Sequence, residues 1–177
     1  GLVDEMHGTI EVTSKEGIGS TFEITLPFEI SEESVDTQRE EVPEAGSIRG
    51  IHLLIAEDNE LNAEIIETLL EDEGAEITIA RDGQEAVELF KINPQGTFDA
   101  ILMDVMMPYM NGLEATRIIR SLDRADAEKI PIIAMTANAF EEDVKKCIEA
   151  GMNAHLSKPL QMDKVIAVIY QYYAEHT

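Results

Sequence analysis

Positive charge is what this 177-residue chain lacks most: 13 lysines and arginines stand against 36 aspartates and glutamates, a formal net charge of −23. Nucleic-acid binding needs a basic face that displaces counterions from phosphates, and no Lys/Arg cluster supplies one, which argues against direct contact with DNA or RNA. Cysteine is nearly absent. Cys147 stands alone, so neither an internal disulfide nor a thiolate metal centre can form, and a reducing, cytoplasmic setting is expected. No apolar run approaches the roughly 18 residues of a membrane span, so no direct membrane contact is expected of this chain. The opening Gly1-Leu2-Val3-Asp4-Glu5 has neither the basic and apolar regions of a signal peptide nor an initiator methionine, and it reads as the start of a fragment. Hydrophobic residues, at 44%, suffice for a packed core and exclude disorder throughout. The length fits one ordinary domain with a smaller piece attached.

Three zones follow along the chain. Thr9–Thr13 and Thr21–Leu26 alternate polar and apolar residues around Gly17-Ile18-Gly19, the pattern of a β-hairpin whose two glycines make a turn. Two strands alone are marginal in water, so the hairpin reads as the edge of a larger sheet. Residues 29–50 are rich in Glu and Ser with little apolar periodicity and read as a solvated acidic linker. From Ile51 onward a short β-rich run followed by an amphipathic helix recurs five times, at 51–56, 75–80, 99–103, 131–135 and 154–156. The runs at 51, 99 and 131 are nearly continuously apolar, as central strands covered on both faces must be. Leu61, Ile65, Leu69 and Leu70 are expected as the buried stripe of the first helix, and Gly74 as its left-handed terminus. Asn138 and Glu141 suggest a capping box for the fourth helix, Gly151 its end, and Val165, Ile166, Ile169 and Tyr173 the buried face of the last. Five βα units with right-handed crossovers predict an α/β fold with a doubly wound parallel sheet.

Such sheets bind ligands at the carboxyl ends of their strands. The first strand ends in Glu57-Asp58, the third in Asp104, the fourth in Thr136, and the fifth leads into Lys158-Pro159. Three carboxylates on one rim repel each other unless a cation or the lysine neutralises them. An all-oxygen donor set points to Mg²⁺, which takes one or two carboxylates, several waters and a phosphate oxygen. In that setting Asp104 can accept a phosphoryl group to form an aspartyl phosphate. Glu57, Asp58 and Asp104 would hold the metal, with the main-chain carbonyl of Met106 as a further ligand. Lys158 would neutralise one phosphate oxygen, the Thr136 hydroxyl would bond another, and small Ala137 would leave room for phosphoryl access.

The segments Leu-Leu-Ile-Ala-Glu-Asp-Asn (53–59), Ile-Leu-Met-Asp-Val-Met-Met-Pro-Tyr-Met-Asn-Gly (101–112), Ala-Met-Thr-Ala-Asn-Ala (134–139) and Leu-Ser-Lys-Pro (156–159) resemble the receiver domain of two-component response regulators. The resemblance covers about residues 51–174. It implies a flavodoxin-like (βα)5 fold of strand order 2-1-3-4-5, with Asp104 as phosphoacceptor, Glu57 and Asp58 as the acidic pair, Thr136 as switch hydroxyl and Lys158 as the family lysine. It also implies a cis peptide bond before Pro159, and a switch position at His155, where receivers commonly carry an aromatic residue. A receiver of this kind catalyses its own phosphorylation and slow dephosphorylation. Residues 7–27 resemble the last two strands of a histidine-kinase ATP-binding domain, without the segments that bind ATP. Together the zones resemble the C-terminal part of a hybrid sensor histidine kinase: a kinase-domain remnant at 1–28, a linker at 29–50 and a receiver at 51–177. The implied partners are a kinase phosphohistidine and a histidine phosphotransfer protein, and any membrane anchor would belong to the parent kinase.

Two rivals are weighed against this. A phosphatase with an aspartate nucleophile needs Asp-x-Asp, and Met106 stands where its general acid would be. A pseudo-receiver that only docks would not need the full set of site residues. Each strand-end residue alone has an ordinary reading as a helix-end acid, a turn residue or a surface lysine. Their joint placement favours a site. The methionines at 103, 106, 107 and 110 read as packing and Cys147 as a packed thiol, while His7, His52 and His176 show no ligand spacing. No DNA-binding domain follows the fifth helix, so onward phosphotransfer or regulation of the parent kinase is expected as output.

Overall fold

A computed structural model describes residues 3, 7–15, 17, 19–27, 46–137 and 140–176. Most of the expected linker, Asn138 and its suggested capping role, and Ile18 of the hairpin turn lie outside the described residues. The chain divides into two units, Gly1–Glu40 and Glu41–Thr177.

In the first unit β1 (Thr9–Lys15) pairs antiparallel with β2 (Gly19–Thr25), with Lys15 opposite Gly19. Ile10, Val12, Phe22 and Ile24 are all exposed. Val12 faces Phe22 and Ile10 faces Ile24 across the ladder, so among the described residues this ribbon carries its apolar side chains exposed.

The second unit is the alternating array that the periodicity predicts. It runs β3 (His52–Ala56), α1 (Glu60–Asp72), β4 (Glu76–Ala80), α2 (Gly83–Ile92), β5 (Ala100–Asp104), α3 (Gly112–Arg120), β6 (Ile132–Thr136), α4 (Glu141–Ala150), β7 (Ala154–Ser157) and α5 (Met162–His176). The sheet is parallel in the order β4-β3-β5-β6-β7, which is 2-1-3-4-5 within the unit. The central β5 and β6 are buried at every residue, whereas β7 is partly open. Alternation sends neighbouring side chains to opposite cores. Leu54, Ile101, Met103 and Ala134 join Phe90 and Ile119 on one face, and Leu53, Leu102, Ile133 and Met135 join Ile66, Leu70, Val165 and Ile169 on the other. The helices α1 and α5 therefore share a face of the sheet. Ile48, in the stretch expected as linker, is buried in this second core.

Three helices start with an Asx cap. The side chains of Asn59, Asp82 and Asn111 accept the backbone N–H groups of Asn62, Glu85 and Glu114, satisfying donors that the first turn leaves open. In contrast, α4 begins after Phe140 with no side-chain cap. Gly74 and Gly151 close α1 and α4 at φ of +90° and +100°, the left-handed turn read from the sequence.

On α1 the expected stripe holds for Leu70 and fails for its other three residues. Its buried residues are Ala63, Ile66 and Leu70, while Leu61, Ile65 and Leu69 are 65%, 49% and 40% exposed. Leucines and isoleucines ring more than one side of this helix, so hydrophobicity alone did not select the face that meets the sheet.

At the end of the sheet where the strands finish, Gly112 packs so closely that an added Cβ would overlap the main-chain oxygen of Asp104. Overpacking of that sort costs about 1–3 kcal/mol. Gly112→Ala is thus expected to lower stability by about that amount in chemical denaturation, and an unchanged denaturation midpoint would refute the close contact.

Candidate functional site

The strand order carries β3, β5, β6 and β7 side by side, and their carboxyl ends deliver the site. Glu57 follows β3 directly, its N–H bonded to the Ala80 carbonyl at 3.0 Å. Asp104 is the last residue of β5 and Thr136 the last of β6, and both are buried. Lys158 follows β7, tied back by its N–H to the Thr136 carbonyl at 2.7 Å, and the Lys158-Pro159 peptide is cis.

These side chains meet. The Lys158 Nζ donates to Glu57 Oε2 at 2.6 Å and to Asp104 Oδ2 at 2.5 Å. Asp104 Oδ1 accepts the Met106 N–H at 3.0 Å, and Glu57 Oε1 accepts from Asn62 Nδ2 at 3.1 Å. Burial raises the Asp104 carboxyl above the ordinary aspartate range, although Lys158 and the Met106 N–H act to lower it. Burial also disfavours the Lys158 ammonium, but its hydrogen bonds to Asp104 and Glu57 outweigh this and lift it above the ordinary lysine value. The two carboxylates thus favour the charged form of the lysine, while burial disfavours the charged form of Asp104.

Glu57, Asp58 and Asp104 each offer a carboxylate oxygen within 4.8 Å of the others. Asp58 is exposed while its two companions are buried. Three carboxylates against one bridging ammonium leave the trio anionic, and every donor is a hard oxygen. That donor set fits a divalent cation such as Mg²⁺ and disfavours the soft metals that seek sulfur or imidazole.

The remaining expected residues lie around this centre. Ala137 is exposed beside Thr136 and lines a cavity with it. Met106 is 74% exposed, so the packing role expected of the methionines fails for it, whereas Met103 and Met107 are core residues. A residue held by its own backbone bond to Asp104 in an open loop has no core to enter. His155 lies on β7, paired in register with Ala134 and exposed. Cys147 is buried, and burial raises its thiol, in line with a packed thiol. His52 has a defined environment that its spacing did not announce: its Nε2 lies 2.9 Å from Thr78 Oγ1 and its ring packs edge-on against Phe98.

Asn62 was missed by the sequence reading. Its position three residues after an Asx cap was the available signal, since that spacing turns a side chain back toward the residue before the helix. On the other side of Glu57, a groove of about 270 Å³ runs between α1 and the start of α5, lined by Ile65, Leu69, Pro159, Leu160 and Met162 with Glu57 and Lys158.

Comparison with known proteins gives a consistent result. A model of the family described as the response regulator receiver domain matches residues 53–170. The aerobic respiration control sensor protein ArcB of Escherichia coli K12 is 34% identical over 173 residues, which is 97% of this chain and 21% of that protein. The chain therefore spans only a minor part of that relative. Among solved structures, the receiver domain of sensor histidine kinase PA1611 from Pseudomonas aeruginosa, which has a magnesium ion coordinated in its active site cleft, is 36% identical with a TM-score of 0.63, covering 71% of this chain and 98% of that one. The receiver domain of Ssk1 from Saccharomyces cerevisiae, in complex with the histidine phosphotransfer protein Ypd1, is 27% identical with a TM-score of 0.65, covering 75% of this chain and 95% of that one.

Proposed function

Because the chain belongs to the response regulator receiver domain family, we propose that it accepts a phosphoryl group from a histidine kinase phosphohistidine onto Asp104. It then passes the group to a histidine phosphotransfer protein or regulates a kinase in its parent chain. The observation that carries this reading is the convergence of Glu57, Asp104 and Lys158 within hydrogen-bonding distance at the ends of three strands.

Mg²⁺, held by Glu57, Asp58, Asp104 and the Met106 carbonyl, would supply neutralisation of the acidic trio and of the incoming phosphoryl oxygens. The chain's own residues do the rest. The Asp104 carboxylate attacks phosphorus, and the P–N bond to the donor imidazole breaks with its electron pair kept on nitrogen. Lys158, already on Asp104, offsets charge on a phosphoryl oxygen. The Thr136 hydroxyl accommodates another, and Ala137 leaves the approach open. His155 is the candidate for a surface group that responds when Thr136 is drawn toward the phosphoryl. Met106, an apolar thioether, cannot serve as a general acid, which weighs against a phosphatase that turns over rapidly.

The apolar groove beside α1 supports docking of a histidine phosphotransfer protein, because Glu57 and Lys158 at its wall bring a seated partner to the reactive carboxylate. The exposed Ile65 and Leu69 are its rim. Ile65→Glu is expected to slow transfer from a phosphohistidine partner about tenfold, while acetyl phosphate labelling changes little. Equal rates in native and variant would remove the groove from the reading.

For the first unit we propose the end of a kinase ATP-binding domain at 1–28, joined by an acidic linker at 29–50 to the receiver at 51–177. Support comes from the exposed apolar ribbon and from an ArcB alignment covering 97% of the chain. No helix of the described residues is long and apolar enough to cross a membrane. A cytoplasmic setting accords with the lone reduced Cys147, with any anchor of the parent kinase lying in other segments. Mg²⁺-dependent labelling by acetyl phosphate, located on Asp104 by peptide mapping, tests the central reading. Label confined to another residue would overturn it.

A further inference from the structure

Whereas the α1 groove is lined from α1 and the start of α5, a second cavity, of about 290 Å³, is lined from the ends of β5 and β6 and from α3 and α4. Its wall is apolar at Val105, Met106 and Leu113 and polar at Thr136, Asp143 and Lys146. Thr136 is a buried site residue, and the Met106 N–H is bonded to Asp104, so two residues of the cavity wall also belong to the surroundings of the reactive carboxylate. On α4, Lys146 Nζ donates to Asp143 Oδ1 at 2.8 Å, one turn away, and both side chains are partly exposed. Such a pair is weakly held and exchanges readily for another anion. The hydrogen bond to the Asp143 carboxylate also keeps the Lys146 ammonium above the ordinary lysine value.

Lys158 cannot play the same part. It is engaged by Glu57 and Asp104 and acts on the phosphoryl group and its acceptor. A chain of net charge −23 repels small anionic donors, and a cation beside the site counters that locally.

We propose that this cavity receives the leaving group of small acyl phosphates and that Lys146 releases Asp143 to pair with it. The inference rests on the phosphoacceptor role of Asp104. In the step, an Asp104 oxygen bonds to phosphorus and the bond from phosphorus to the acyl oxygen breaks. The electron pair leaves on that oxygen, giving a carboxylate anion, and no proton transfer is needed. The full negative charge that develops on the departing carboxylate is what the Lys146 ammonium stabilises. Phosphoramidate provides the contrast, because its leaving group departs as ammonia and gains nothing from a neighbouring cation.

The test compares labelling rates of the native chain, Lys146→Ala, Lys146→Arg and Asp143→Asn with acetyl phosphate and with phosphoramidate, in Mg²⁺ at low salt. Lys146→Ala is expected to slow labelling by acetyl phosphate about tenfold, the effect of roughly 1.36 kcal/mol in the barrier, and to leave phosphoramidate within about twofold. Lys146→Arg should restore most of the rate. Asp143→Asn, which frees the ammonium, should raise it. Loss of equal size with both donors, or no loss with acetyl phosphate, overturns the inference and leaves the Asp104 reading intact. Failure of the native chain to label with either donor overturns both.

Discussion

Asp104→Asn is expected to reduce Mg²⁺-dependent labelling by at least roughly 10³-fold, since an amide cannot form the aspartyl phosphate and no other group of the site replaces a lost nucleophile. The same substitution should stabilise the fold in metal-free buffer at neutral pH. Asp104 is buried and its carboxyl is raised above the ordinary range, burial being the main cause. A group that holds its proton more tightly when folded contributes most stability below its unfolded value, near 3.9, and loses it as pH rises through the folded value. In this respect the native chain should melt at higher temperature as pH falls from neutral through the folded Asp104 value toward its unfolded one, and Asp104→Asn should flatten that rise. Mg²⁺ should raise the native melting temperature more than the variant's, because ligand binding to the folded state adds stability by mass action. A variant that loses label but melts lower at pH 7, with an unchanged pH profile, would mean that the carboxylate is not held at a cost.

Much of this site was legible because the fold class alone says where to look. Once 51–56, 99–103, 131–135 and 154–156 read as strands of one parallel sheet, the residues just past them became the candidate site, and Glu57, Asp104 and Lys158 are bonded together. What stayed hidden has a common physical origin. Periodicity reports that a helix has an apolar face, but α1 has apolar residues on two sides, and only the shape of the sheet decides that Ile66 and Leu70 are buried while Ile65 and Leu69 are not. Likewise nothing in the sequence around Asn153 singles it out. In the fold its side chain accepts from Arg120 and from the Ile132 N–H, and Arg120 also bonds the carbonyls of Gly151 and Ala127. Except for Arg120 with Ala127, 7 positions apart, these pairings join residues 21 to 33 positions apart, which no local pattern can announce.

The split of α1 has a functional side. A helix with one apolar face can only pack. A helix with two can pack and also present a surface, and the exposed row on α1 lies beside the groove whose wall contains Glu57 and Lys158. On the reading proposed above, the acidic side chains serve the phosphoryl chemistry and the apolar ones beside them would seat the partner.

Lys158→Met tests the electrostatic core of the site. The ammonium bridges two carboxylates that are almost wholly buried, while it is itself 23% exposed. Removing one member of a buried ion pair usually costs about 3–5 kcal/mol because the partner is left as an uncompensated charge, and the solvent access of Lys158 brings the expectation here to about 2 kcal/mol. The loss should depend on pH in a defined sense. Without the lysine, the forces that raise the Asp104 carboxyl act with less opposition, so it shifts further upward. The destabilisation is then greatest at neutral and alkaline pH and shrinks as pH falls and Asp104 takes up its proton. Mg²⁺ should restore part of the stability, since a cation on the acidic trio does what the ammonium did, and the Mg²⁺-induced rise in melting temperature should be larger in the variant than in the native chain. Labelling by acetyl phosphate should still fall, because the metal and the lysine offset charge on different oxygens in the transition state. A pH-independent loss that Mg²⁺ leaves untouched would show that Lys158 contributes through its packing alone.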